Sequence, residues 1–392
     1  MIKEAIIKSY LIYFKLIFNI FKLYPQKNKI TLVVSFEENT SFIYREMKRQ
    51  EIPFKIIILS TSPFSYEFRK EIQDTLNIPF EIKNVINWFK SVYHLATSKF
   101  VIIDNYFAFL SVINFKRNVE CIQVWHAAGA LKTFGLQDNS IVYRSKSANK
   151  RFRKVYGKFN KVVVGSEEMV SIFKDSFGLP SGNILRTGIP RTDFFYEKAK
   201  QEEVKVNFEK NYPRIQGKKI VLYAPTFRDS QLLDFEINLD IEKMYQNLKD
   251  NYILFIKLHP AVNTTKKDYK LMYPDFVYDF SSYKRMNELL FIADVLITDY
   301  SSIPFEFALL KKPMIFFPYD LEFYKKERGV IENYESVVPG PIHFDTDQII
   351  QSIVKNEYDF GMIQAFSDKW NKYSTGESSK KLVNYIMDKY KK

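Results

Sequence analysis

Two of the four histidines in this 392-residue chain stand where a strand-like apolar run gives way to small or turn-forming residues. His126 follows the run 119–125 and precedes Ala127-Ala128-Gly129; His259 follows the run 252–258 and precedes Pro260. An imidazole that is neutral near physiological pH can take a proton from a hydroxyl, and small residues after His126 let another group approach the backbone closely. His94 and His343 have no such setting. A third stretch with chemical potential is 293–307. Its apolar core, Val295 to Ile297, turns polar at Thr298-Asp299-Tyr300-Ser301-Ser302 and resumes in a helical pattern through Phe305, Ala308, Leu309 and Leu310. Ser301 and Ser302 are expected to cap that helix, whose first N–H groups and positive dipole end suit an anion. Glu306, one turn further, either reaches a ribose hydroxyl or complements the dipole. A fourth stretch, Gly188-Ile189-Pro190-Arg191, reads as a phosphate clamp, since arginine offers a planar fork of donors, or as a Gly-Pro turn with a solvated arginine.

The elements that must position these groups follow from the apolar pattern. Strands are expected at 29–36, 54–60, 100–104, 119–125, 162–166 and 184–187, then at 219–223, 252–258, 294–298 and 313–317. A polar loop is expected at 37–40 and a helix at 41–49. Strands alternating with helices imply parallel, doubly wound sheets, in which ligands bind at the carboxyl ends of strands. All the polar stretches fall there. Thr226, His259, Ser301 and Ser302 are expected along one rim, facing a cleft between two domains. The charged segment 196–218 is the expected boundary. It gives a membrane-associating helix at 1–28, a first Rossmann-like domain at 29–205 and a second at 206–392, whose last helix can pack back on the first.

Composition narrows the function. Apolar residues make up 46% of the chain, enough for real cores. The single cysteine, Cys121, excludes disulfides and cysteine-based metal sites, fits a reducing compartment, and reads as a buried filler. Asp345-Thr346-Asp347 reads as a helix cap rather than a metal-binding pair. The net charge of +13 reflects either the codon bias of an AT-rich genome or an anionic partner: a membrane face, a phosphate-rich substrate or nucleic acid. Nucleic acid is set aside, because no zinc-finger spacing, aromatic RNA-binding consensus or recognition helix is present. A Gly-rich phosphate fingerprint is also missing, so phosphate binding must use helix ends, hydroxyls, histidine or arginine. Residues 1–24 carry Glu4, Lys8, Lys15, Asn19 and Lys22 on one narrow stripe among Ile, Leu, Phe and Tyr. No apolar run reaches spanning length and no small-residue cleavage site follows. The alternatives are a helix docked on the protein's own surface and a helix lying in a membrane interface, and the apolar arc, wider than one packing face needs, favours the second. Arg144, Lys146, Lys150, Arg151, Arg153 and Lys154 form a basic cluster that is either a solvated face or a contact with anionic lipid.

Taken in order, Trp125-His126-Ala127-Ala128-Gly129 with Leu131-Lys132, Gly188-Ile189-Pro190-Arg191-Thr192-Asp193, Tyr223-Ala224-Pro225-Thr226-Phe227-Arg228-Asp229, Lys257-Leu258-His259-Pro260 and Thr298-Asp299-Tyr300-Ser301-Ser302 resemble the CDP-glycerol glycerophosphotransferases of Gram-positive wall teichoic acid synthesis. Pro318-Tyr319-Asp320 and Pro339-Gly340-Pro341 fit as well. The resemblance spans roughly residues 100–345. It implies a GT-B fold, two Rossmann-like domains facing across a cleft, and metal-independent transfer of glycerol phosphate from CDP-glycerol with release of CMP, needing no cofactor. It places the base on His126, a second catalytic role on His259, and substrate contacts on Trp125, Gly129, Arg191, Pro225, Thr226, Ser301, Ser302 and Glu306. Many family members have Gly-Thr-Pro after the first histidine where this chain has Ala127-Ala128-Gly129, and some have Asp at the position of Glu306. Within the family the chain resembles the primases, which add the first glycerol phosphate to a ManNAc-GlcNAc disaccharide on undecaprenyl diphosphate at the cytoplasmic membrane face. Later glycerol- or ribitol-phosphate transferases and polymerases, and nucleotide-sugar glycosyltransferases of the same fold, are the alternatives.

Overall fold

The structure is a computed structural model that describes residues 2–228, 235–259, 262, 267–331 and 333–391. Asp229 and Pro260, which close two of the motifs above, lie outside the described residues, as does Met1. The chain divides into two compact units: residues 1–126, 134–193 and 373–392 form the first, residues 127–133 and 194–372 the second.

The first unit is built on a seven-stranded sheet, β1 (Lys29–Val34), β2 (Lys55–Ser60), β3 (Leu76–Pro79), β4 (Phe100–Ile103), β5 (Glu120–Gln123), β6 (Lys161–Val163) and β7 (Ile184–Leu185), in the order β3-β2-β1-β4-β5-β6-β7. Every pairing is parallel. The order of strands across the sheet reverses between β1 and β4, so their carboxyl ends flank a natural crevice. The second unit holds a five-stranded sheet, β8 (Lys219–Tyr223), β9 (Tyr252–Ile256), β10 (Val277–Asp279), β11 (Val295–Thr298) and β12 (Met314–Phe316), in the order β10-β9-β8-β11-β12, again all parallel. Its crevice lies between β8 and β11. The central strands are buried on both faces, as parallel sheets require.

Ten of these strands stand where the apolar runs place them. The apolar pattern does not mark β3 and β10. Both are short edge strands, and only one residue in each is buried, so neither carries an apolar run. The segment 37–40, expected as a loop, is already helical: the helix is Glu37–Arg49. Its acidic first turn complements the dipole and its apolar side packs inward, which outweighs the polar look of the sequence. The charged segment 196–218 contains a helix, Lys198–Asn211. Asp345 caps the helix Thr346–Lys355 by accepting from Gln348 N–H at 2.9 Å. Cys121 is fully buried.

The first helix, Ile2–Phe21, packs Leu11, Phe14 and Phe18 inward. Phe14 meets Trp88 edge-on and stacks on Phe109, and Tyr13 stacks on Trp88. The helix Val85–Thr97 is thus its main support. Its far side stays apolar and open: Ile6, Ile12, Leu16 and Ile20 are all exposed, and Leu23 beyond its end is 85% exposed. No helix among the described residues is long and apolar enough to cross a membrane. In the basic cluster, Arg151 pairs with Glu4 of the first helix and Arg144 with Asp138, while Lys146, Lys150, Arg153 and Lys154 remain exposed.

Candidate functional site

The sequence-derived candidates fall into two groups, one on each sheet. In the first unit, β5 ends at Gln123 and the chain turns sharply through Trp125 into His126. Trp125 has φ of 55°, a left-handed backbone that a bulky residue adopts only when its surroundings impose it. The imposing groups are visible. Trp125 N–H donates to Gln123 Oε1 at 2.8 Å, and Gln123 Nε2 donates to the Asn105 carbonyl at 3.0 Å. Asn39 Nδ2 donates to the Trp125 carbonyl at 2.9 Å. The Trp125 ring lies among Phe134, Phe173 and Phe177.

This turn delivers His126 to the carboxyl ends of β4 and β5. Its Nδ1 lies 3.1 Å from the backbone oxygen of Asp104. A carbonyl can only accept, so Nδ1 carries the proton, and in the neutral ring Nε2 is the basic nitrogen. The ring is clamped by Trp125 at 4.3 Å and Phe36 at 4.7 Å between centroids. Asp104 itself is buried. Its Oδ2 accepts from Ser35 N–H at 2.8 Å and Phe36 N–H at 2.7 Å, which fixes the turn after β1. Burial pushes its pKa up from the usual carboxylate value to about 7, against the pull of those two N–H groups.

Arg191 belongs to this group. It follows Gly188, whose φ of 84° and contact with Tyr373 and Ser378 leave no room for a Cβ. Arg191 is buried, its Nη1 pairs with Glu38 Oε2 at 2.7 Å, and its N–H donates to Asn39 Oδ1 at 3.0 Å. The structure therefore sets Arg191 beside His126's support and not on the sheet that carries Thr226, His259, Ser301 and Ser302.

In the second unit the loops after β8 and β11 are tied by a charged hub. Arg228 is buried and makes two bonds to Asp320, Nε to Oδ2 at 2.7 Å and Nη2 to Oδ1 at 2.8 Å. Its Nη2 also reaches Asp299 Oδ2 at 3.1 Å, and its Nη1 donates to the Thr226 hydroxyl at 2.7 Å and the Thr226 carbonyl at 2.8 Å. Asp299 Oδ1 accepts from Thr226 N–H at 2.9 Å and Tyr300 N–H at 2.7 Å. Tyr300 and Tyr324 stack at 3.9 Å, and the guanidinium lies over both rings. Pro225 and Thr226 are buried in this assembly.

Ser301 and Ser302 follow directly. Ser301 Oγ accepts from Ile303 N–H at 3.3 Å, whereas Ser302, at the N-cap position of the short helix Ile303–Phe307, makes no side-chain cap bond. The expectation that both serines cap is corrected: Ser302 has a helical backbone, from which its hydroxyl does not reach the N–H two or three residues on. Glu306 is buried in the first turn of that helix. Gly129, in the second unit, sits against the Phe305 ring, and any Cβ there would collide with it. His259 is exposed at the end of the β9 loop, next to Phe227 at 4.5 Å between centroids. Partial burial, with Lys132 and Lys257 nearby, lowers its pKa to about 4. Its exposure limits the burial effect, but burial and both lysines act in one direction, so the ring is neutral at pH 7.

Four groups carry the geometry without a role that the sequence assigns them: Asn39, Gln123, Arg228 and Asp299. Arg228 and Asp299 lie inside motifs, and an opposite-charge pair at two strand ends is the signal that marks them.

A family model described as CDP-Glycerol:Poly(glycerophosphate) glycerophosphotransferase matches residues 16–388. The chain is 40% identical to the teichoic acid glycerol-phosphate primase of Bacillus subtilis strain 168, over 98% of each chain. It is 36% identical to the teichoic acid poly(ribitol-phosphate) polymerase of Bacillus spizizenii, over 95% of this chain but 58% of that one. Among solved structures it resembles the wall teichoic acid polymerase TagF, H548A, with a TM-score of 0.81, 22% identity, and coverage of 100% of this chain and 98% of that chain. This last likeness concerns the fold, an α/β architecture with two parallel sheets. The match along nearly the whole chain settles the family: this protein belongs to the CDP-glycerol:poly(glycerophosphate) glycerophosphotransferases.

Proposed function

We propose that the protein is a teichoic acid primase, transferring the first glycerol phosphate from CDP-glycerol to a ManNAc-GlcNAc disaccharide on undecaprenyl diphosphate and releasing CMP. The observation that carries this reading is the 40% identity with a glycerol-phosphate primase, running over 98% of both chains. In the proposed step, His126 Nε2 takes the proton of the acceptor hydroxyl. The hydroxyl oxygen forms a bond to the β-phosphorus, the bond from that phosphorus to the bridging oxygen breaks, and CMP leaves with the electron pair. The Asp104 carbonyl holds His126 in the tautomer this requires. Donor contacts are assigned to Arg191, Pro225, Thr226, His259, Ser301, Ser302 and Glu306, and further substrate contacts to Trp125 and Gly129. Fixed donors and cations aimed at the developing charge supply most of the acceleration in such a reaction. A bound diphosphate would raise the His259 pKa, letting it serve as cation or acid.

Lipid acceptor and membrane attachment belong together in this reading. The open apolar side of Ile2–Phe21, flanked by Lys8 and Lys15, suits the cytoplasmic face of an anionic membrane, where the protein would act as a peripheral enzyme. CMP release from CDP-glycerol, measured with the bare lipid-linked disaccharide and with the same lipid already carrying one glycerol phosphate, tests the assignment. Turnover with a single addition on the bare disaccharide is expected. Turnover on the primed lipid alone would move the protein to a later transferase step, and productive use of a nucleotide sugar in place of CDP-glycerol would overturn the donor.

A further inference from the structure

The first turn of the helix Glu37–Arg49 meets two motif turns that are far apart in sequence. Asn39, 2% exposed, donates through Nδ2 to the carbonyl of Trp125 and accepts through Oδ1 from the N–H of Arg191. A backbone N–H can only donate and a carbonyl can only accept, so the orientation of the amide is fixed by its partners. The two bonds are 2.9 and 3.0 Å and run to residues 86 and 152 positions away. The Trp125 carbonyl belongs to the left-handed residue that aims His126, and the Arg191 N–H to the turn that follows Gly188. Next to it, Glu38 holds the Arg191 guanidinium, and Phe36 lies on the His126 ring.

We propose that Asn39 is a positioning residue for the transfer reaction: one amide ties the His126 turn to the Arg191 turn and sets both side chains relative to each other. Of the twenty side chains, an amide of this length supplies a donor and an acceptor together without charge. Neither aspartate nor alanine can replace it, for different reasons. An ionised aspartate at this position would still accept from Arg191 N–H but would present an oxygen to the Trp125 carbonyl. An alanine would serve neither partner. The inference rests on the proposed function for its kinetic form, and on the geometry of the first unit alone for its structural form.

The test uses the full chain with Asn39→Asp and Asn39→Ala, each first compared with the unsubstituted protein by thermal midpoint and circular dichroism. Asn39→Asp is expected to lower kcat about 10-fold or more while the KM for CDP-glycerol stays within about twofold, because only the His126 tie is lost. Asn39→Ala is expected to lower kcat and raise the donor KM as well. The deficit of Asn39→Asp should shrink, relative to the unsubstituted protein at each pH, as pH falls and the protonated carboxyl regains a donor. In parallel, the ring nitrogen signals of ¹⁵N-histidine-labelled protein, with His126 assigned through His126→Gln, should leave the Nδ1–H pattern in Asn39→Asp. Kinetic constants and ring signals both unchanged in Asn39→Asp would overturn the proposal. So would equal losses in both variants with the donor KM raised in each, since that is what general loosening produces. An unsubstituted protein that is silent on CDP-glycerol would refute the functional reading instead, and the ring signals would then decide on Asn39 by themselves.

Discussion

The two strand-end clusters are held in opposite ways. The His126 turn is fixed by uncharged groups, a backbone carbonyl, a pair of amide side chains and two aromatic rings, with the Arg191–Glu38 ion pair beside it. Around Thr226 and the serine loop the contacts are ionic: one buried guanidinium satisfied by two carboxylates and ringed by tyrosines. In the proposed chemistry the difference has a reason. A base that must accept and later release a proton works best where no fixed charge locks it in one state, and its direction can be set by neutral bonds. A loop that must present N–H groups and hydroxyls to a diphosphate has to stay rigid when a dianion arrives, and an ion-paired hub resists that pull.

The largest effect that would break this comparison is at the base. His126→Ala should lower CMP release by roughly 10²–10⁴-fold with little change in thermal midpoint, since the ring is half-buried and its bond is to a backbone carbonyl. Near-normal turnover in a folded variant would remove the base from His126. The hub should behave in the reverse sense, with a stability cost first. Arg228→Ala leaves Asp299 and Asp320 facing each other without this cation, and losing one partner of a buried ion pair costs on the order of 3–5 kcal/mol. Denaturant unfolding would measure it. Arg228→Lys keeps the charge but loses the two-toothed grip on Asp320, so a smaller loss is expected. A cost below about 1 kcal/mol for Arg228→Ala, the range of an exposed pair, would show that the hub does not rigidify the loop.

Next in size is the serine loop. Removing one hydrogen bond to a charged group costs roughly 1.5–3 kcal/mol, which predicts a donor KM raised about 10-fold or more in Ser302→Ala. Ser301→Ala should add a small stability loss, because Ser301 also caps Ile303 N–H while Ser302 makes no side-chain cap bond. If Ser302→Ala alone destabilised the fold while leaving the donor KM unchanged, the assignment of the two hydroxyls would be reversed.

How much of this is legible in the sequence follows from the same contrast. Buried strands announce themselves through apolar runs, so β1, β4, β5, β8 and β11 and the polar residues at their ends are legible, and with them the positions of His126, Thr226, Ser301 and Ser302. The supports of those residues are not. Asn39 lies in a stretch, Glu37-Glu38-Asn39-Thr40, that reads as a polar loop, and nothing local says that its amide reaches residues 125 and 191. Gln123 alternates with apolar neighbours as a strand residue does, and only the left-handed turn at Trp125 shows why its side chain is needed. In the sequence Arg228 stands out only as half of an opposite-charge pair at two strand ends, and nothing local says that it is buried. Its burial depends on Asp320, 92 residues later. Pairing between distant segments sets these roles, and single-residue patterns do not record it. The wide apolar arc of the first helix reads as membrane-facing. The structure explains the width by a second requirement, since one side of the arc already packs on Trp88 and Phe109.

A pH series separates the two histidine-bearing parts of the first unit. Asp104 is held protonated by burial up to about pH 7, whereas the free carboxyl ionises near 3.8. Between those values the folded state binds the proton and the unfolded state has released it, so stability falls as pH rises through the window. His94, against Lys29 at 3.0 Å, runs the other way. Burial first, and then Lys29, Lys55 and Lys27, depress its pKa to about 4 from 6.5. Between 6.5 and 4 the unfolded state takes up the proton and the folded state does not, so stability is lost as pH falls. In the unsubstituted protein these slopes oppose each other from about pH 4 to 6.5. Asp104→Asn keeps an oxygen for the Ser35 and Phe36 N–H groups but cannot ionise, so it should leave the His94 slope uncovered. Thermal midpoints measured from about pH 4 to 8 should then show the gap between Asp104→Asn and the unsubstituted protein widening in favour of the variant up to about pH 7, then levelling. A flat or narrowing gap would mean that Asp104 is ionised in the folded protein, and the neutral character of the His126 surroundings would no longer distinguish them from the Arg228 hub.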